Sequence, residues 1–322
     1  MPRYAIRMKR YRNLRQQKRP EAQARDRAMT EAGAVQAASK CRVTVVQMTS
    51  SHNVTTSLNQ LDALVREVEP SSVDAIFLPE NFAALAASDV LSIGQSESAY
   101  FLEAQGNSPY KSEILPMICA LARAKRTWVF AGTMPLAVRP DNTYIEDGRV
   151  RAASLVVDPA GNIVARYDKM HLFDVEVSDT TKVYCESATF EPGDQPLVAK
   201  TPFATIGLSV CYDLRFPKHY LDLTKLGANV IAVPSAFTRP TGAAHFEALV
   251  RARAIENAAF VIAACQSGDH DSGRQTYGHS MVVSPWGEVI DLLGNEPGLL
   301  TLELDLTELE TIRRQIPSWR LQ

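Results

Sequence analysis

The chain has 322 residues, 46% hydrophobic and 22% charged, with a formal net charge of −2. That composition describes a water-soluble globular protein long enough for one large α/β domain or two ordinary ones, and no apolar run approaches the roughly 20 residues that span a bilayer. Five scattered cysteines (Cys41, Cys119, Cys185, Cys211, Cys265) without a CxxC pair, and six histidines without ligand spacing, argue against a disulfide scaffold or a metal site and for a reducing compartment.

The first forty residues stand apart. They hold eleven Lys or Arg and three acids, a local charge of +8, which leaves −10 for the rest of the chain. Basic charge confined to a tail gives the body no nucleic-acid footprint. Residues 1–40 read as a disordered tail. The sharper alternative is an Arg-rich mitochondrial targeting segment with Tyr4, Met8 and Tyr11 on one helical face, against which stand Glu21, Asp26 and Glu31.

From Cys41 onward the pattern is α/β. Residues 43–48 read as a buried strand, 58–68 as a helix with Leu58, Leu61, Leu64, Val65 and Val68 on one stripe, and 75–78 as a short strand closed by Pro79. A strand–helix–strand unit of this length implies a parallel pair. Residues 128–132 give another strand. Residues 155–157 and 163–167 form a hairpin around Asp158-Pro159-Ala160-Gly161, where Pro presets φ and Gly accepts a positive one. The parallel plan then repeats: strand 205–210, helix 218–226 stopped by Gly227, strand 230–233. A helix at 246–256, strands at 260–264, 279–283, 289–293 and 299–304, and a short C-terminal helix follow. With no internal linker or repeat, residues 41–320 read as one domain with more strands than a simple doubly wound sheet needs.

Cys211 ends the apolar strand 205–210 abruptly, and Asp213, Arg215 and Pro217 open a new element. That is the layout of a nucleophile on a strand-to-helix turn, although a lone cysteine is more often buried structure. A cysteine nucleophile needs a base or a positive field, and donors for an oxyanion. Three segments after strand ends offer them. Glu80 follows an apolar strand, and a carboxylate shielded by apolar neighbours suits general-base work. Lys169 sits among Met170, Leu172 and Phe173, an apolar setting for an ammonium. Glu186 is a second candidate carboxylate. Each has a plain alternative as an ordinary surface residue, and a Cys211 dyad with His245 or His279 stays open on the residues alone.

Taken in order, Leu78-Pro79-Glu80-Asn81, Tyr167-Asp168-Lys169-Met170-His171-Leu172-Phe173 and Cys211-Tyr212-Asp213-Leu214-Arg215-Phe216-Pro217 resemble the three motifs of the nitrilase, or carbon–nitrogen hydrolase, superfamily over about residues 41–320. The resemblance implies a four-layer α-β-β-α sandwich, a Glu80–Lys169–Cys211 triad, a positioning role for Glu186, and oxyanion donors from Lys169 and the Tyr212 N–H. It implies no metal and no cofactor. The segments His171-Leu172-Phe173-Asp174-Val175-Glu176, Cys185-Glu186-Ser187, Arg251-Ala252-Arg253-Ala254-Ile255-Glu256 and Pro285-Trp286-Gly287 are most similar to the Nit branch of amidases. The expected reaction is hydrolysis of the terminal amide of a small carboxylated substrate, deaminated glutathione ahead of α-ketoglutaramate, through a Cys211 thioester with release of ammonia. A cation at the mouth would meet the substrate carboxylates, with Arg215 and Arg239 as candidates. Alternatives are a nitrilase, a carbamoylase or an inactive scaffold of the same fold. A homodimer or higher homo-oligomer is implied, in the cytoplasm unless the tail directs it to mitochondria.

Overall fold

Apolar residues alternating along short strands build two six-stranded sheets, each of which must cover both faces. The computed structural model describes residues 39–103, 112–179, 181 and 183–320. The basic segment up to residue 38 lies outside them, and with it the tail and targeting readings. The first sheet has the order β16-β1-β2-β3-β4-β5, from β1 (Lys40–Gln47), β2 (Ala75–Phe77), β3 (Trp128–Leu136), β4 (Arg151–Val157), β5 (Ile163–Asp168) and β16 (Gly298–Asp305). The second has the order β15-β14-β11-β10-β9-β8, from β8 (Leu197–Lys200), β9 (Thr205–Leu208), β10 (Val230–Ala232), β11 (Phe260–Ala263), β14 (Met281–Val283) and β15 (Val289–Leu292).

The strand period of two sorts side chains between layers. Phe77 and Phe130, stacked with ring centroids 4.5 Å apart, face Leu208, Ala232 and Ile262 of the other sheet. Their neighbours Ile76 and Val129 turn outward and pack with Leu61 of α1 (Val54–Val65) and Ile118 of α3 (Ile114–Lys125). On the far side of the second sheet, Gly207 lies under Leu223 of α4 (Pro217–Lys225), and α5 (Arg239–Asn257) contributes Phe246, Val250 and Ala254 to the core. The result is the expected four-layer α-β-β-α sandwich in a single domain. A short helix α6 (Thr307–Gln315) closes it. Among the described residues no helix is long and apolar enough to cross a membrane.

Both expected crossover units are present, since β1–β2 and β9–β10 pair in parallel. The hairpin is present too: β4 and β5 run antiparallel, with the Gly161 N–H donating to the Asp158 carbonyl at 2.8 Å. Boundaries move where polar residues hide the period. Helix α1 begins at Val54 because the Asn53 side chain accepts the Thr56 N–H at 3.0 Å, an N-cap five residues ahead of Leu58. Helix α5 begins two turns before Phe246, with Pro240 in its first turn.

The pattern between residues 82 and 127 suggests no element, yet two helices form there, α2 (Val90–Glu103) and α3. The buried carboxylate of Glu97 in α2 accepts the N–H groups of Glu113, Ile114 and Leu115 at 2.9, 3.0 and 2.9 Å. An acid from one helix thus satisfies the open donors at the start of the next. Two small hairpins, β6–β7 (Asp174–Glu176, Val183–Cys185) and β12–β13 (Ser267–Asp269, Gln275–Tyr277), were likewise outside the expected elements.

Strand β5 runs in the same direction as β2, because β2–β3 is parallel and two antiparallel steps, β3–β4 and β4–β5, follow. The segments after β2 and β5 therefore leave the first sheet at one edge. Close packing beneath the first of them comes from Gly132, where a Cβ would collide with the Pro79 carbonyl. Gly132→Ala is expected to cost about 1–3 kcal/mol of stability and to displace Glu80, read as a lower urea midpoint together with lost turnover. An unchanged midpoint would show that the loop yields freely.

Candidate active site

After β9 the chain reaches Cys211 through an extended Val210 and then enters a 3₁₀ helix, Cys211–Arg215. Cys211 has φ +45, the left-handed region that a side chain with a Cβ rarely occupies. The turn is held from both sides. The Cys211 N–H donates to the Pro234 carbonyl at 2.9 Å, beyond the end of β10. The wholly buried Asp213 accepts the Val210 N–H at 2.8 Å and the Tyr167 hydroxyl at 2.7 Å. It also meets the His171 N–H at 3.1 Å and His171 Nδ1 at 2.6 Å. Burial alone would push the Asp213 carboxyl up. These donors and the nearby His219 outweigh it and hold the group below the usual aspartate range.

Lys169 follows β5 and is 2% exposed. Its Nζ lies 2.8 Å from Glu80 Oε1, and 2.8 and 2.7 Å from the two oxygens of Glu186. Burial works against the ammonium, but Glu186 and Glu80 overcome it and keep the group protonated well above the ordinary lysine range. Each carboxylate is placed by its own backbone. The Glu80 carbonyl accepts from Gln266 Nε2 at 2.9 Å, and the next N–H, that of Asn81, donates to Thr133 Oγ1 at 2.8 Å. Glu186 opens a short 3₁₀ helix after β7 and also accepts the Phe173 N–H at 2.6 Å.

The Cys211 thiol faces the Glu80 carboxylate and the Ala236 N–H. Burial pushes it up first and the charge on Glu80 adds to this, while Lys169 and the Ala236 N–H pull the other way. The balance leaves it well above the usual thiol range. A neutral thiol beside a carboxylate is an arrangement that could pass a proton as sulfur attacks. The Tyr212 N–H, in the first turn of the 3₁₀ helix, has no intrahelical acceptor.

Glu80, Lys169, Glu186, Cys211 and Tyr212 line one cavity of about 270 Å³. The two expected mouth cations are not among its lining residues. Arg215 stacks over Tyr212 and Phe237 at 6.0 and 5.6 Å, behind the wall, and Arg239 pairs with Asp269 at 3.0 Å. The lining arginine is Arg274, on the loop before β13. It sits in a polar stretch, 268–275, with no spacing that marks it. Neither His245 nor His279 lines the cavity: His245 meets Arg215, and His279 stacks on Tyr277. The Cys–His alternative therefore lacks its partner at the sulfur. Among the described residues no cluster of three or more His, Cys, Asp or Glu is arranged to hold a metal ion.

Such a sandwich, with a thiol, an ammonium and two carboxylates gathered where strands end, defines a hydrolase class of its own. Residues 42–314 match the family described as Carbon-nitrogen hydrolase, and the chain belongs to that family and is an amidase-type hydrolase. It is 37% identical over 275 residues to the deaminated glutathione amidase of Yersinia enterocolitica, covering 85% of this chain and 90% of that one. To the human deaminated glutathione amidase it is 35% identical over 302 residues, 92% and 86% of the two chains. Among solved structures, the Caenorhabditis elegans NitFhit protein superposes with a TM-score of 0.75 at 32% identity, over 89% of this chain and 66% of that one. A Saccharomyces cerevisiae member of branch 10 of the nitrilase superfamily gives 0.70 at 25% identity, over 89% and 97%.

Two outcomes follow from the charges. Lys169→Met leaves Glu80 and Glu186 buried against each other without a cation, and is expected to cost about 3–5 kcal/mol at neutral pH, read from denaturant midpoints. In Glu80→Gln the negative charge that helps raise the Cys211 thiol is gone, so its thiolate midpoint, followed by absorbance at 240 nm, should move down. An upward or absent shift would show that Glu80 does not act on the sulfur.

Proposed function

We propose that the protein hydrolyses an amide of a small carboxylated acyl group, deaminated glutathione first, through a thioester on Cys211. The observation that carries this reading is the joint presence of Cys211, Glu80, Lys169 and Glu186 in one cavity, in a chain similar to amidases of that name. Glu80 takes the thiol proton as sulfur attacks the amide carbonyl. Lys169, whose charge already acts on the sulfur, and the Tyr212 N–H stabilise the oxyanion. Glu80 then gives its proton to the departing nitrogen, and afterwards takes one from the water that cleaves the thioester. Glu186 keeps Lys169 charged and in place throughout.

The departing group depends on the substrate. Deaminated glutathione is a keto-diacid joined by a secondary amide to cysteinylglycine, so its cleavage frees that dipeptide's amine. The ammonia expected from the sequence leaves only when the amide is primary, as in α-ketoglutaramate, which is the second reading of the same site. A homo-oligomer extends the proposal, supported by the exposed apolar side chains of Trp286 and Ile255. A cytoplasmic site of action fits five free cysteines.

The test is product analysis with purified protein. Deaminated glutathione should yield cysteinylglycine and α-ketoglutaramate should yield ammonia. Cys211→Ala should abolish both activities, and Glu80→Gln should reduce both by about 10²–10⁴-fold. Turnover of nitriles without turnover of amides, or activity surviving in Cys211→Ala, would sink the proposal.

A further inference from the structure

Among the described residues that line the cavity, the cations are Lys169 and Arg274. Lys169 is saturated by its two carboxylates. Arg274 has none: no carboxylate among the described residues pairs with it, and its one hydrogen-bonded side-chain nitrogen is Nη2, donating to the Ala236 carbonyl at 3.0 Å. Its Nε is buried without an acceptor. The guanidinium lies 5.3 Å from the centre of the Tyr184 ring, whose hydroxyl is engaged by Asp179 Oδ2 at 2.8 Å. The aromatic face thus orients the guanidinium without neutralising it. A planar, always-charged fork with open donors on a cavity wall is built for a carboxylate.

Ala236 ties this cation to the reacting atom. Its carbonyl holds Arg274, and its N–H faces the Cys211 sulfur. A single residue's span separates guanidinium and sulfur, on the order of 10 Å. A keto-diacid half-amide fits that reach. Its carboxylate carbon stands four bonds from the amide carbon, about 5 Å when extended. With an attack distance of about 3 Å and a charge-assisted hydrogen bond of about 2.8 Å, the extended molecule would span about 11 Å, so it meets both groups when slightly bent.

Resting on the amidase reading above, we infer that Arg274 binds the acyl-side carboxylate of the substrate and sets the enzyme's preference for half-amides of dicarboxylic acids. Arg215 and Arg239 do not share this role, the first being stacked behind the cavity wall and the second paired with Asp269.

The test compares α-ketoglutaramate with 4-oxopentanamide, which replaces its carboxylate by a methyl group, on wild-type protein, Arg274→Ala and Arg274→Lys. Wild type should prefer the acid. Arg274→Ala should lower kcat/KM for α-ketoglutaramate by about 100-fold, mainly through KM, and change that for 4-oxopentanamide by less than about 3-fold. Arg274→Lys should recover part of the loss, keeping the charge without the fork. An equal fall on both amides, or an acid preference that survives in Arg274→Ala, would overturn the inference. Wild type that prefers neither amide overturns it while leaving the amidase reading standing. Wild type that cleaves no amide at all removes both.

Discussion

The site depends on one buried ammonium. Lys169, 2% exposed, has exchanged its hydration for two carboxylates from separate parts of the chain. An unpaired charge at that depth costs several kcal/mol, so the three groups are stable only together. Glu80 comes from the loop after β2, Lys169 from the end of β5 and Glu186 from the turn after the β6–β7 hairpin. Satisfying the cation therefore draws three loops to one point at the edge of the first sheet. It also fixes the sign of the cavity floor, because two carboxylates and one ammonium leave an excess negative charge. Burial, with the charge on Glu80 added to it, is why the neighbouring thiol stays protonated at rest.

The second sheet is brought to the same point by Asp213. Its donors come from both layers: Val210 from the strand end that carries Cys211, Tyr167 and His171 from the segment that carries Lys169. A buried acid supplied from two sheets is a distance restraint between them. The loop beneath Lys169 is fitted as closely. Gly193 donates its N–H to the Lys169 carbonyl at 2.8 Å, and a Cβ there would collide with the Asp168 carbonyl. The left-handed Cys211 is thus one constrained residue within surroundings that leave it little alternative.

Where periodicity carries the fold, the sequence was readable. The strands ending at Phe77 and Leu208 are apolar runs, so Glu80 and Cys211 stood out just beyond them, and Lys169 stood out by its apolar neighbours Met170, Leu172 and Phe173. Helices α2 and α3 were not readable in the same way. Glu97, the residue that starts α3, acts from another helix, and no local pattern announces a cap supplied from a distance. Arg274 was hidden for a related reason. Its neighbours in sequence are polar loop residues, and only the hairpin β12–β13 brings it to the cavity wall. The arginines that did attract notice, Arg215 and Arg239, lie near Cys211 and at a helix start, yet face aromatic rings and Asp269. Proximity along the chain favoured cations that do not line the cavity.

The proposed chemistry also explains why a carboxylate serves as base where histidine is the more familiar choice. With a neutral histidine, attack would create an imidazolium and an oxyanion together, separating charge in a partly buried cavity. With Glu80 the buried charge is already present. As the proton passes from sulfur to Glu80, negative charge leaves the carboxylate, passes through sulfur and arrives on the substrate oxygen. The total stays constant, and each of its stations lies beside Lys169. A fixed cation facing a moving anion needs little reorganisation of its surroundings, which is the condition under which electrostatic stabilisation is most effective. Glu186 is the price of that constancy: without a second carboxylate, Lys169 would lose its counter-charge at the moment Glu80 accepts the proton.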